Sequence, residues 1–380
     1  MIYLDYNATT PIDTHVAEAM LPFLYGHFGN PSSTHSLGLA AKAAVEQARA
    51  QVASLIDCLP SEVIFTSGGS ESNNMVLKGV AHTFRDKGNH IITSQVEHPA
   101  ILKPCAYLEG LGYEVSYVPV DSYGMVNPSA IESLITEKTI LVTIMHSNNE
   151  VGTLQPIREI GRICKKYGVL LHTDASQSVG KVPLDVQALG ADFLTIAGHK
   201  LYAPKGVGAL YMREGLHIEP LIHGADHEKG RRAGTENILL EVGLGKTCDI
   251  ALAELQNSTV KHLTEYFYTS LEELFGETVH LNGHPEKKLP NTLNISFLGY
   301  DGHTILEALC DVAASTGSAC HAGTTTISPV LAAMGVSDKV GRGAVRFSLG
   351  RYTTKEEIDR VLVSLQKIIQ ENQNETWNNH

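Results

Sequence analysis

The chain has 380 residues, 29 Lys plus Arg against 41 Asp plus Glu, and a formal net charge of −12. With 43% hydrophobic and 18% charged residues, it has the balance of a globular protein, and a disordered chain is excluded. The length suggests two or three domains at about 150 residues each, and the negative charge argues against general binding to nucleic acid or to an anionic membrane surface.

In chain order, Met1–Asn7 shows no basic segment followed by an apolar one, so no secretory signal is expected. From about residue 40 to 212, short β-rich runs alternate with helical stretches. Val63–Thr66, Ile91–Thr93, Glu114–Val120, Ile140–Met145, Val169–Thr173, Asp192–Ile196 and Val207–Met212 read as strands. They are apolar on both faces, as strands are when helices cover both sides of a parallel sheet. Ala40–Ile56, Glu71–Lys87 and Ile157–Tyr167 read as helices between them. The alternation predicts an α/β fold with a mainly parallel seven-stranded sheet. Further on, Val260–Leu274 and Lys355–Ile369 read as helices, and Asn291–Phe297 and Val345–Leu349 as strands. The tail is therefore expected to add a smaller α+β domain, with Glu371–His380 polar and frayed. The domain expectation is a large unit over 15–257 and a small one built from 1–14 and 258–380. No apolar run approaches the ~20 residues of a membrane span. Together with the cysteine pattern below, this gives a cytoplasmic protein as the expectation.

In an open α/β sheet, ligands sit at the carboxyl ends of the strands, so the residues that follow each strand carry the chemistry. Ser67-Gly68-Gly69-Ser70-Glu71 follows the first strand and opens a helix. Glycines allow close backbone approach, and helix N–H groups favour an anion such as a phosphate; the same run also reads simply as a Gly-rich turn with a Ser cap. Glu97-His98, Asn148-Asn149-Glu150, Asp174 with Gln177, and His199-Lys200 close four further strands. Each alone would be a cap or a turn residue. Together they gather an imidazole, amides, a carboxylate and an amine at one crevice. A lysine at a strand end, beside a phosphate cradle and a carboxylate, suggests a Schiff base with pyridoxal phosphate, the carboxylate pairing with the pyridine nitrogen. Lys200 on its own would read as a solvated surface lysine.

Six cysteines, at 58, 105, 164, 248, 310 and 320, include no C-x-x-C pair. That spacing suits free thiols in a reducing compartment. Cys58, Cys105, Cys164, Cys248 and Cys310 lie in or beside apolar patterns and are expected to pack as small hydrophobes. Cys320 differs, lying in the small-residue run Ser315–Gly323 beside His321. Its thiol is expected to be exposed, either as an incidental free thiol or as a reactive one. His223 and His227 have the i, i+4 spacing of a helical metal pair, but Gly224 and Gly230 favour a loop without a metal. Lys229, Arg231 and Arg232 form a basic turn, either a solvated face or an anion contact across a subunit boundary.

These motifs resemble the cysteine desulfurases of the NifS and IscS type, with the class V aminotransferase fold, and are also similar to selenocysteine lyases. The resemblance runs from Tyr3–Pro11 to Arg346–Arg351 and includes Gly29–Ser33, Ser67–Asn74, Glu97-His98, Asn148–Glu150, Thr173–Ala175, Gly198–Lys200 and Gly234–Asn237. It implies a pyridoxal 5'-phosphate enzyme of transferase fold type I. Lys200 would bear the cofactor, Asp174 would pair with its ring nitrogen, and Gln177 would hydrogen-bond its ring hydroxyl. His98 would stack on the ring and move protons. Gly69, Ser70 and His199 would hold the phosphate. Thr235 would reach the phosphate of a neighbouring subunit, making a homodimer. Asn149 and Arg346 would hold the substrate carboxylate, and Cys320 would take sulfur from L-cysteine as a persulfide, releasing L-alanine and passing sulfur to an acceptor protein. Two departures accompany the resemblance. Ala197 stands where many relatives have a Ser. The Cys320-His321 pair is similar to selenocysteine lyases, which makes release of selenium from L-selenocysteine the alternative. A plain aminotransferase would leave Cys320 without a role.

Overall fold

The computed structural model describes residues 1–316 and 327–378 of the chain. Cys320 and its neighbours lie outside the described residues. Strand β1 is Ile2–Tyr3. The expected seven-stranded sheet follows: β2 (Val63–Thr66), β3 (His90–Ser94), β4 (Glu114–Val118), β5 (Thr139–Thr143), β6 (Leu170–Asp174), β7 (Phe193–Ala197) and β8 (Gly208–Met212). Its order is β2-β8-β7-β6-β5-β3-β4. β3 to β7 pair in parallel, while β8 runs antiparallel to both β7 and β2. The tail forms a second, antiparallel sheet from β9 (Val279–Asn282), β10 (Thr292–Phe297) and β12 (Ala344–Ser348). β11 (Val312–Ala313) pairs in parallel with β1.

Side-chain alternation sends each strand of the large sheet into two cores. On one face, Val63 and Phe65 of β2 pack with Val45 and Val52 of the helix Ser36–Ile56. On the other, Ile64 packs with Met75 and Val80 of the helix Gly69–Thr83. Each such fully buried aliphatic or aromatic side chain contributes about 1.5–3 kcal/mol. Gly245, in the helix Ile238–Glu254, lets that helix lie directly on Ser36–Ile56: a Cβ there would stand 2.5 Å from the Ala48 Cα. A separate core, with Phe267, Leu271, Phe297, Phe347, Ile358 and Leu365, lies under the tail sheet.

Two details differ from expectation. Cys310 is exposed, because the helix Gly302–Ala308 has already ended and the turn after Leu309 faces outward. The last helix runs from Lys355 to Asn378; its polar end contains Gln, Glu and Asn but no Gly or Pro to stop it. Residues 1–7 also join the tail. Leu4 donates to Ala313 O at 2.8 Å and accepts from Ser348 N at 2.7 Å. Beyond them, Thr10 N reaches His199 O at 3.0 Å, so the N-terminus links the tail sheet to the carboxyl ends of the large one.

Candidate active site

The carboxyl ends of β2, β3, β5, β6 and β7 open onto one cavity of about 330 Å³, within the range of small-molecule sites. Gly69, Ser70, His98, Asn149, Asp174, Gln177, His199, Lys200 and Arg346 all line it. Thr235 does not; it is exposed on the loop ahead of the helix Ile238–Glu254. That loop is held to the cavity wall by Arg232, whose Nε and Nη2 reach the Glu71 carboxylate at 2.9 and 3.3 Å.

After β2 the chain turns at Gly68, with φ of +147°, into the helix beginning at Gly69. The first-turn N–H groups of this helix have no intrahelical acceptors. A Cβ on Gly69 would stand 3.0 Å from Ser176 Oγ and 3.3 Å from Ala197 Cβ. The glycine therefore keeps open a concave wall lined with amide donors. Asp174 ends β6 in the sheet interior. Its carboxylate accepts from Asn73 Nδ2 at 2.7 Å and from Ser176 N at 2.9 Å. It is thereby fixed in orientation with room for one further donor.

Lys200 closes the 3₁₀ turn Gly198–Lys200 after β7. Its Nζ donates to Asn7 O at 2.6 Å and to Ala8 O at 2.7 Å. Burial, helped by the positive charge of Arg346, pulls the amine down to about 8, against the opposing pull of Asp5 and Asp174. Burial, followed by Lys200, Lys205 and His98, lowers His199 to about 4; its Nδ1 lies 3.1 Å from Thr9 Oγ1. His98 caps the helix Pro99–Glu109 by accepting from Ala100 N at Nδ1, 3.1 Å away. Neutral His98 therefore carries its proton on Nε2. Burial keeps its pKa below the ordinary value, with Lys200 adding to the effect and Asp174 opposing it.

Arg346 lies on β12 and is buried. Its Nη2 pairs with Asp5 Oδ1 at 2.7 Å, and its Nη1 donates to Asn149 O at 3.0 Å. Its Nε is buried without a hydrogen-bond partner among the described residues. Arg346 as a residue lines the cavity, and a guanidinium there suits an incoming carboxylate. Beneath these groups lies a residue that reading the sequence missed. Asn7 accepts from Lys200 and Gln177 at its carbonyl, and from Lys181 and Asn291 at Oδ1; it donates to Thr292 Oγ1 and Asn149 O. Asn73 was visible in the Ser67–Asn74 motif, but its role behind Asp174 was not.

The aminotransferase class-V model matches residues 2–361. The chain belongs to the class V aminotransferase family. Within that family it is 48% identical to "Cysteine desulfurase IscS" of Dictyoglomus turgidum over 97% of this chain and 94% of that one. Among solved structures, it matches a "NifS-like protein" with a TM-score of 0.91 and 40% identity, covering 97% of this chain and 99% of that one. It also matches "SspA in complex with cysteine" with a TM-score of 0.83 and 36% identity, covering 93% and 100%. Class V aminotransferase-fold enzymes of this kind depend on pyridoxal phosphate. The residues present fit that group: an open amide-lined wall for a phosphate, a clamped carboxylate for a ring nitrogen and a buried amine for an aldehyde.

Proposed function

We infer that this protein is a pyridoxal-phosphate-dependent cysteine desulfurase. The observation that carries the reading is the convergence of Lys200, the clamped Asp174 and the half-paired Arg346 on one cavity. Lys200 would hold the cofactor, Asp174 its ring nitrogen and Gln177 its ring oxygen. Gly69, Ser70 and His199 would hold its phosphate, with His98 against the ring. Bound pyridoxal phosphate supplies an aldehyde that takes up amines and a ring that absorbs electrons.

The chain's own groups do the rest. Arg346 and Asn149, which both line the cavity, would take the substrate carboxylate and set the orientation of Cα. Lys200 Nζ, with its lowered proton affinity, is half neutral near pH 8 and serves as the base for the Cα proton. His98 Nε2 is a donor at the other side of the cavity. Cys320, outside the described residues, would attack the substrate sulfur as a thiolate. The new S–S bond leaves a persulfide on Cys320 as the substrate's Cβ–S bond breaks, and protonation at Cβ, with return of a proton to Cα from Lys200, gives L-alanine. The sulfur then passes to an acceptor protein.

In this reading the large unit spans 15–257 and the small one 1–14 with 258–380, supported by their separate cores. A homodimer, with Thr235 completing the partner's phosphate site, is supported by the exposed apolar run Leu21, Leu24, Tyr25, Phe28, Leu37 and Leu39, in which Tyr25 is 81% and Phe28 75% exposed. A cytoplasmic setting is supported by the free state of the described cysteines. No helix among the described residues is long and apolar enough to cross a membrane.

Alanine formation from L-cysteine and from L-selenocysteine, with wild type and Cys320→Ala, tests the reading. Turnover of L-cysteine that Cys320→Ala loses is expected. Turnover of L-selenocysteine alone would make the protein a selenocysteine lyase.

A further inference from the structure

Lys181 is an amine behind the cavity wall that the mechanism does not use. It does not line the active-site cavity. Its Nζ donates to Gln177 Oε1 at 3.0 Å and to Asn7 Oδ1 at 3.1 Å. No carboxylate is among these partners. Gln177 is buried, and its Nε2 donates to Asn7 O at 2.9 Å. The pair follows β6 in a tight turn, where Val179 N bonds to Ala175 O at 3.0 Å and Gly180 has a φ of +73°. A Cβ on Gly180 would stand 2.5 Å from Leu201 Cδ2, so the turn that sets Lys181 four residues after Gln177 is sterically fixed.

The two contacts decide which way the Gln177 amide faces. A backbone carbonyl only accepts, and the Lys181 amine, charged or neutral, keeps N–H groups to donate to the oxygens it faces. Oε1 must therefore face Lys181, and the NH2 must face Asn7 O. Asn7 O takes one of the two N–H groups, and the other remains for the cavity that Gln177 lines. We propose that Lys181 is a positioning residue that locks the Gln177 amide with its NH2 toward the cavity, so that the site presents a donor, and never the carbonyl oxygen, to the oxygen on the cofactor ring. The inference rests on the reading of Gln177 as a contact of that ring oxygen. Without Lys181, Oε1 would be a buried acceptor in need of a donor, and rotation of the amide would bring oxygen against oxygen in the site. Burial, with Lys200 and Arg346 close by, also brings the Lys181 amine down to about 7, with no carboxylate hydrogen-bonded to it among the described residues to oppose that.

The test is the affinity of apo-protein for pyridoxal 5'-phosphate, read by absorbance, in wild type, Lys181→Met, Lys181→Arg, Gln177→Ala and the Lys181→Met/Gln177→Ala pair. Lys181→Met is expected to weaken binding about tenfold through the unsatisfied acceptor. Lys181→Arg, which still only donates, is expected to restore affinity to within about threefold. In the Gln177→Ala background, Lys181→Met is expected to add almost nothing. Lys181→Ala provides the same comparison should the methionine variant not fold. Wild-type affinity in Lys181→Met, equal loss in Lys181→Arg, or fully additive losses in the pair would each overturn the inference while leaving the cofactor site standing. Wild-type affinity in Gln177→Ala would overturn the reading of Gln177 itself, and this inference with it.

Discussion

Loading the apo-protein with pyridoxal 5'-phosphate at a series of pH values tests the electrostatics of Lys200. An amine adds to an aldehyde only as the free base. With burial and Arg346 bringing Lys200 from 10.5 to about 8, about 9% of it is neutral at pH 7, against roughly 0.03% of an unperturbed lysine, a gain of about 300-fold. The loading rate, followed as growth of the visible band, should rise about tenfold per unit below pH 8 and level off above it. The charges that set the midpoint act in opposite directions. Arg346→Gln removes a cation that disfavours the ammonium, so the midpoint should move up. Asp5→Asn removes an anion that favours it, so the midpoint should move down. A rate that keeps climbing tenfold per unit past pH 10, or a midpoint untouched by Arg346→Gln, would refute the reasoning.

Three further perturbations address the frame around the site. Arg49 and Glu228 form a buried two-point pair at 2.7 and 2.8 Å, and Phe65 N adds a third bond to the same carboxylate at 3.1 Å. Glu228→Ala leaves the buried guanidinium with the half-exposed Glu46 and the Val63 carbonyl as its remaining partners and should lower unfolding stability by about 3 kcal/mol; a denaturant-measured loss under about 1 kcal/mol would count against this. Glu97 is fully buried, and its pKa is raised to about 8 by burial, against the opposing hydrogen bonds from Ser94 and Met145. The folded state therefore holds a proton that the unfolded state has lost, and this contribution to stability fades as pH rises from about 4.5 to about 8. Glu97→Gln should flatten that part of the stability–pH curve relative to wild type, and unchanged slopes in the two proteins would sink the assignment. Gly69→Ala puts a methyl 3.0 Å from Ser176 Oγ; overpacking of about 1–3 kcal/mol should loosen cofactor binding about tenfold, and an unchanged dissociation constant would show that the wall yields freely.

How much was legible follows from where each residue sits. Lys200, Asp174, His98 and Asn149 each close a strand that reads clearly as an apolar run, and the carboxyl-end rule then gathers them without any knowledge of their contacts. The direction of β8 was not legible, because a strand apolar on both faces looks the same run either way. Nor was Asn7, which sits just after a two-residue strand whose partners are Val312 and Ala313; no local pattern marks it as the hub of Lys200, Gln177 and Lys181. Lys181 and Asn73 escaped for a related reason. Their hydrogen bonds go to other residues around the site, Asn73 from the cavity lining and Lys181 from behind it, and spacing along a chain does not reveal who stands behind whom. Thr235 is exposed on a loop and does not line this chain's own cavity, and only the resemblance gave it a role.

The threading of the N-terminus has a consequence in time. Asp5 and Asn7 leave the ribosome well before Arg346, to which Asp5 pairs and which lies 341 positions later. At roughly 5–20 residues per second, that separation amounts to about 17–70 s of synthesis. During that interval the large sheet can form, with Lys200 already in it, while Asn7 still lacks Thr292 and Asn291 as anchors. The pocket is therefore closed by contacts between pieces of chain made far apart in time, and a fully formed site can appear only once translation has passed β12.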